Sequence, residues 1–113
     1  METVKDFWEN QATKHVEDYK ATNPDYYSFV REIQTLQKHL NPTDHILEYG
    51  CGNGYASQQI FETHDFPSYL GVDYSENMIK VAAAGSTAPI ERRGYEVGDV
   101  MVHKTDRKYD TVF

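Results

Sequence analysis

The stretch His45-Ile46-Leu47-Glu48-Tyr49-Gly50-Cys51-Gly52-Asn53-Gly54-Tyr55 reads as a buried strand that runs into a glycine turn and then a helix. Ile46 and Leu47 suit a strand covered on both faces, and three glycines at alternate positions let the backbone turn sharply and approach something that side chains would exclude. Amide groups at the start of the following helix, with its positive dipole end, would receive an anionic group, here a carboxylate. Glycine-rich strand-to-helix turns also occur with no ligand, so on the turn alone both readings stay open.

The dinucleotide fingerprint G-x-G-x-x-G asks for glycine at the first, third and sixth positions of such a turn. This chain offers Gly50 and Gly52 and then Tyr55, and a tyrosine where helix and strand must pack closely argues against a nicotinamide or flavin dinucleotide. Glu48-Tyr49-Gly50-Cys51-Gly52-Asn53-Gly54 instead resembles the first motif of class I S-adenosylmethionine-dependent methyltransferases, an acidic residue followed by one apolar residue and G-x-G-x-G. The resemblance implies that Glu48 lies close to the methionine part of the cofactor, that Gly50, Gly52 and Gly54 make room for it, and that Cys51 belongs to the same cofactor-binding turn.

Composition sets the outer limits. At 113 residues and 13.1 kDa the chain is one domain at most. A net charge of −7 and a pI near 5.1 disfavour unaided nucleic-acid binding. The single cysteine, Cys51, cannot form an intramolecular disulfide. There is no long apolar run and no basic-then-apolar amino terminus, so neither a membrane span nor a signal peptide is read, and the cytoplasm is the default expectation.

Outward from the glycine turn, the pattern alternates strand and helix. Thr3 is placed to cap a helix with Val4, Trp8, Ala12, Val16 and Tyr19 on one face. Asn23-Pro24 is a cap and first-turn pair for a second helix, whose stripe is Phe29, Ile33, Leu36 and Leu40 and which Asn41-Pro42 stops. A first strand covers 45–50, and a helix runs from Tyr55 to about His64 with Ala56, Ile60 and Phe61 inward. Residues 69–73 form a second strand. A helix follows over Glu76 to Ala84, capped by Ser75 and ended by Gly85. A loop over 85–93 precedes a third strand around 95–97, residues 101–108 are a polar connector with at most one helical turn, and 109–113 form a fourth strand. Such alternation means a parallel sheet with right-handed crossovers.

Asp73 closes the second strand about 20 residues after the turn, the spacing at which a carboxylate accepts from both ribose hydroxyls of an adenosine ligand. The bland alternative is that it merely caps the helix after it. Gly71-Val72-Asp73-Tyr74-Ser75-Glu76-Asn77-Met78 is similar to the second methyltransferase motif, which implies cofactor contacts for Asp73 and Tyr74 and places Met78 against the adenine. By spacing alone a methionine there is ordinary core. Gly98-Asp99-Val100 resembles the next motif and implies that the Asp99 carboxylate accepts from the adenine amino group while the Val100 amide donates to the ring. The aminoterminal segment, with Phe7-Trp8, Gln11-Ala12, Ala21-Thr22 and Asp25-Tyr26-Tyr27, is more loosely similar to small-molecule-type members. It suggests that Trp8, Tyr19, Tyr26 or Tyr27 covers the cofactor, where an aromatic face suits a sulfonium; each is as readily explained by helix packing. The five histidines show no metal-ligand spacing, and no metal is expected.

The resemblance implies a Rossmann-like α/β sheet of the class I methyltransferase type, truncated after the fourth strand, with two aminoterminal helices. The expected organisation is a single partial domain over 1–113, with aminoterminal helices over 1–41 and a cofactor-binding βαβ core over 45–113. In the family the strand order is 3-2-1-4-5-7-6, of which this chain supplies 3-2-1-4, so a fragment is expected, with self-association through the fourth-strand edge. The expected cofactor is S-adenosylmethionine, giving S-adenosylhomocysteine, with transfer to a small-molecule acceptor and no catalytic base assignable. The alternative is a non-catalytic module that binds an adenosine ligand.

Overall fold

The computed structural model describes residues 3–14, 25–62 and 65–113. Helix α1 (Val4–Lys14) is opened by a reciprocal cap. The Asp6 N–H donates to Thr3 Oγ1 at 3.0 Å and the Thr3 N–H to Asp6 Oδ2 at 3.1 Å, satisfying two groups that helix geometry orphans. Its inner face, Trp8 and Ala12, packs on Met78. Val16 and Tyr19, expected on the same face, lie outside the described residues, as does the Asn23-Pro24 pair. Helix α2 (Tyr26–His39) is capped instead by Asp25, which accepts from the N–H groups of Tyr27 and Ser28. Phe29, Ile33 and Leu40 are buried from this helix and its end, as the apolar stripe predicts.

Strand β1 (His45–Tyr49) carries Ile46 and Leu47 at 1% and 3% exposure, so both faces of the strand are covered. Ile46 joins Phe29, Ile33, Ile60 and Tyr69 in the main core, and by strand alternation Leu47 and Tyr49 look to the opposite face. Helix α3 (Tyr55–Phe61) follows the glycine turn and is shorter than the sequence suggests. The Glu62 N–H closes its last turn onto the Gln58 carbonyl, and His64 lies outside the described residues. Strand β2 (Ser68–Asp73) starts one residue early, where Ser68 Oγ meets His45 Nδ1 at 2.6 Å.

Helix α4 (Glu76–Gly85) has the expected Ser75 cap, accepting from the Met78 N–H, but Gly85 does not end it. Gly85 is the last helical residue with a negative φ, its carbonyl accepts from Gln58 Nε2, and Ser86 is the cap. Strand β3 (Arg93–Val97) begins two residues before the expected start. Its polar first residue is tolerated because the Arg93 guanidinium lies 3.6 Å from the centre of the Phe61 ring. Strand β4 (Thr111–Val112) is shorter than the expected 109–113. The Asp110 N–H donates to the His45 carbonyl at 2.9 Å, but the His45 N–H is taken by the Asp110 carboxylate and not by a backbone carbonyl, so the regular ladder starts at Thr111.

The four strands are parallel in the order β3-β2-β1-β4, as the resemblance implied. Helices α3 and α4 connect β1 to β2 and β2 to β3, and the 98–110 connection returns to β4 with a single turn in which the Val102 and His103 N–H groups reach the Asp99 carbonyl. All carboxyl ends of the strands therefore lie at one rim. Among the described residues no helix is long and apolar enough to cross a membrane.

Candidate functional site

At that rim the glycine turn folds over the end of β2. The N–H groups of Gly50 and Cys51 both reach the Val72 carbonyl, at 2.7 and 3.2 Å, and the turn holds because Gly50, Gly52 and Gly54 adopt φ of 74°, 58° and 81°. A side chain at Gly50 would meet nothing within 4 Å, so its glycine is demanded by backbone conformation and not by space. Gly54 is constrained twice, because a Cβ there would come within 3.1 Å of Ala82 on α4.

Asp73 ties the neighbouring segments together. Its Oδ2 accepts from the Gly52 N–H and its Oδ1 from the Ser75 N–H, each at 3.0 Å, while its carbonyl accepts from the Gly98 N–H at 2.9 Å. Both roles considered for this residue are therefore compatible. It orients the start of α4, and since each carboxylate oxygen has a second lone pair, acceptor capacity remains for hydroxyl donors.

These elements surround a cavity of about 450 Å3. Gly50 and Gly52 form one wall, Asp73, Tyr74 and Met78 another, and Gly98, Asp99 and Val100 a third, with Trp8 contributed by α1. Seven of the ten cofactor-binding residues singled out from the sequence, from three segments of the chain, thus meet at one opening. Met78 is 1% exposed and reaches the cavity from the small core it shares with Trp8 and Ala12. Asp99 and Val100 are exposed, and the Asp99 Oδ1 accepts from the Met101 N–H at 2.9 Å.

Glu48, Cys51 and Gly54 are not on the wall. Glu48 sits behind the turn at 8% exposure, where the Tyr69 hydroxyl donates to its Oε1 at 2.6 Å. Burial pushes its carboxyl up to about 7; the hydrogen bond from Tyr69 works the other way, and the negative charges of Glu32 and Asp73 add to the rise. Cys51 is 4% exposed, and burial drives its thiol far above its usual range, so it is a packing residue of the turn. Tyr26 and Tyr27, at 52% and 80% exposure, are also off the wall, and Tyr19 lies outside the described residues.

Tyr49 and Val72 line the cavity without having been singled out. Tyr49 was legible in principle, since it alternates with Glu48 and must face the other way. Its hydroxyl meets His103 Nδ1, and His103 Nε2 meets Glu96 Oε1, a chain that no local pattern announced. No cluster of three or more His, Cys, Asp or Glu side chains suited to a metal exists among the described residues.

Comparison with known proteins bears on this geometry. A family model described as a methyltransferase domain matches residues 40–113. Among curated proteins, a carboxy-S-adenosyl-L-methionine synthase from Campylobacter fetus is similar, 30% identical over 87 residues that make up 75% of this chain and 37% of that protein. Among solved structures, an S-adenosylmethionine-dependent methyltransferase from Mesorhizobium loti is 27% identical, with 70% of this chain and 37% of that one covered at a TM-score of 0.55. A methyltransferase from Geobacter sulfurreducens, solved with S-adenosylhomocysteine, shares the fold at a TM-score of 0.67 and 18% identity, covering 99% of this chain and 43% of that one. The chain thus spans well under half the length of each of these relatives.

Proposed function

Because this chain belongs to the methyltransferase-domain family, we propose that its rim cavity is the cofactor site of an S-adenosylmethionine-dependent methyltransferase acting on a small-molecule acceptor. The observation that carries the reading is the meeting of Gly50, Gly52, Asp73 and Asp99 around one cavity from the ends of three adjacent parallel strands, the position at which open sheets of this kind take ligands. The cofactor is S-adenosylmethionine, with S-adenosylhomocysteine as the product.

In this reading the turn over Gly50 and Gly52 receives the amino-acid end, helped by the dipole of α3. Asp73 accepts from the ribose hydroxyls with the lone pairs its internal partners leave. Asp99 and the Val100 amide address the adenine edge, while Tyr74 and Met78 line its apolar face. Glu48 acts from behind, holding the glycine turn through the strand and not through direct contact. Trp8 closes the top of the cavity with an aromatic face suited to a cation. When bound, the cofactor supplies an electrophilic methyl group on a sulfonium, and the chain's own work is to orient it and keep water away. The 45–113 segment is the cofactor-binding core and α1 with α2 its cover.

Calorimetry with S-adenosylhomocysteine tests the assignment. Asp73→Asn keeps the side-chain size and one acceptor but removes the charge, and is expected to weaken binding by about 10- to 100-fold, the range of a hydrogen bond to a charged group. Unchanged affinity in a variant whose far-ultraviolet spectrum is native, or tighter binding of NAD than of S-adenosylhomocysteine by the wild type, would contradict the site.

A further inference from the structure

His103 enters the sheet in line with two side chains that the strand register already places together. Tyr49 pairs with Val72 and Val72 with Glu96, so the three stand in one row on the face opposite Glu48. The imidazole of His103 lies across that row. Tyr49 Oη is 3.1 Å from Nδ1, Glu96 Oε1 is hydrogen-bonded to Nε2, and the Tyr49 and His103 rings meet edge to face with centroids 5.5 Å apart. The His103 side chain is 8% exposed, whereas Met101 and Val102 just before it are 85% and 71% exposed.

This side chain is thus the anchor of a segment otherwise turned to solvent. Gly98 is tied to the Asp73 carbonyl at one end, and the His103 N–H is tied to the Asp99 carbonyl at 2.7 Å, so Asp99 and Val100 hang between two fixed points. The seat is tight: a Cβ at Gly98 would come within 3.0 Å of both His103 Cδ2 and Val72 Cγ1.

We propose that His103 is a positioning residue, and that the Tyr49–His103–Glu96 chain clamps the segment carrying Asp99 and Val100 against the cavity and so sets the site's grip on the adenine end of the cofactor. The inference rests on the assignment of Asp99 and Val100 to the adenine made above. The chemistry suits a clamp. With a neutral ring, Nε2–H donates to the Glu96 carboxylate and Nδ1 accepts from the Tyr49 hydroxyl; with a charged ring both nitrogens donate and the Tyr49 hydroxyl turns to accept. Both contacts therefore persist in either protonation state, and a rigid ring with nitrogens on two sides spans the row in a way an alkyl side chain does not.

Two readouts on the same variants test it. In the free protein, amide hydrogen exchange at Val102, whose N–H is held by the Asp99 carbonyl, should quicken by about tenfold or more in His103→Ala while Ile46 and Val72 are unaffected. In binding, His103→Ala should lose about tenfold in affinity for S-adenosylhomocysteine and most of its preference over the analogue carrying hypoxanthine in place of adenine, because the lost alignment is at the base. Tyr49→Phe, which deletes only a hydroxyl, should move both readouts less, and should add nothing once His103 is alanine. Exchange that does not change, or a base preference retained in His103→Ala, overturns the clamp. A wild type that does not bind S-adenosylhomocysteine would instead overturn the cofactor assignment, and the exchange experiment would still decide whether His103 anchors the segment.

Discussion

Glu48 is the residue whose chemistry the fold changes most. Its carboxyl is held near 7 against an ordinary value of 4.5, so the folded state binds this proton more tightly than the unfolded chain does. The associated stability is complete below about pH 4.5 and is lost as pH rises through about 7, an effect on the order of 3 kcal/mol for this group alone. Glu48→Gln removes the titration while leaving an acceptor for the Tyr69 hydroxyl. Denaturant unfolding at about pH 5 and about pH 8 should show the wild type losing stability across the interval and the variant losing markedly less. Parallel behaviour would mean that the buried carboxyl is not the group that couples folding to pH. Asp73 shows the complementary logic: two internal N–H partners fix where its carboxylate points before any ligand arrives.

At the scale of elements, the packing of β2 against its neighbours depends on a glycine with no conformational reason to be one. A Cβ at Gly71 would fall 2.7 Å from the Tyr69 hydroxyl, 2.9 Å from Cys51 Sγ and 2.9 Å from Tyr95 Cδ1, and Tyr69 and Cys51 are themselves buried, so nothing can retreat cheaply. Gly71→Ala should cost about 1 to 3 kcal/mol, the usual range for overpacking, and lower the melting temperature by several degrees. Gly94 on β3 is the control. Its nearest neighbours would be at 3.4 and 3.6 Å, ordinary contact, and Gly94→Ala should cost less than about 1 kcal/mol. Equal losses in the two would show that the crowding around Gly71 is relieved by small shifts. The start of α3 is set in the same way: the Tyr55 ring packs 5.4 Å from that of Phe29, so this position joins α3 to α2 where a dinucleotide turn would need glycine.

At the scale of the molecule, β4 is the outer strand beside β1 among the described residues, and its inner side is paired to β1 through the Phe113 N–H and carbonyl. Strand alternation then turns the Val112 N–H outward, and its side chain is 55% exposed. An edge of this kind accepts another strand, and a second copy related by a two-fold axis would extend four strands to eight. Sedimentation of the 113-residue chain at high micromolar concentration should show a dimer, and Val112→Pro, which removes an outward donor without touching the β1 ladder, should give a monomer. A wild type that stays monomeric there would show that this edge does not pair between copies.

By itself the sequence determined what depends on short-range chemistry. Alternating glycines permit a left-handed turn, apolar runs of strand length alternating with helical stripes favour a parallel sheet, and acidic residues that close successive strands then fall at the same rim. Order and spacing brought Gly50, Gly52 and Asp73 to that rim, and the resemblance to the methyltransferase motifs added Tyr74, Met78, Asp99 and Val100; all seven line the cavity. The sequence did not place Glu48, because the parity of a strand says that a side chain leaves one face, whereas the depth of that face is decided by Tyr69 and the helices that cover it. Nor did it find His103, which is 54 residues from Tyr49 and reaches it only because the β1–β2–β3 register aligns Tyr49, Val72 and Glu96 and the connection from β3 crosses above them. Contacts of that kind depend on register and loop path together, and the tertiary structure alone sets both.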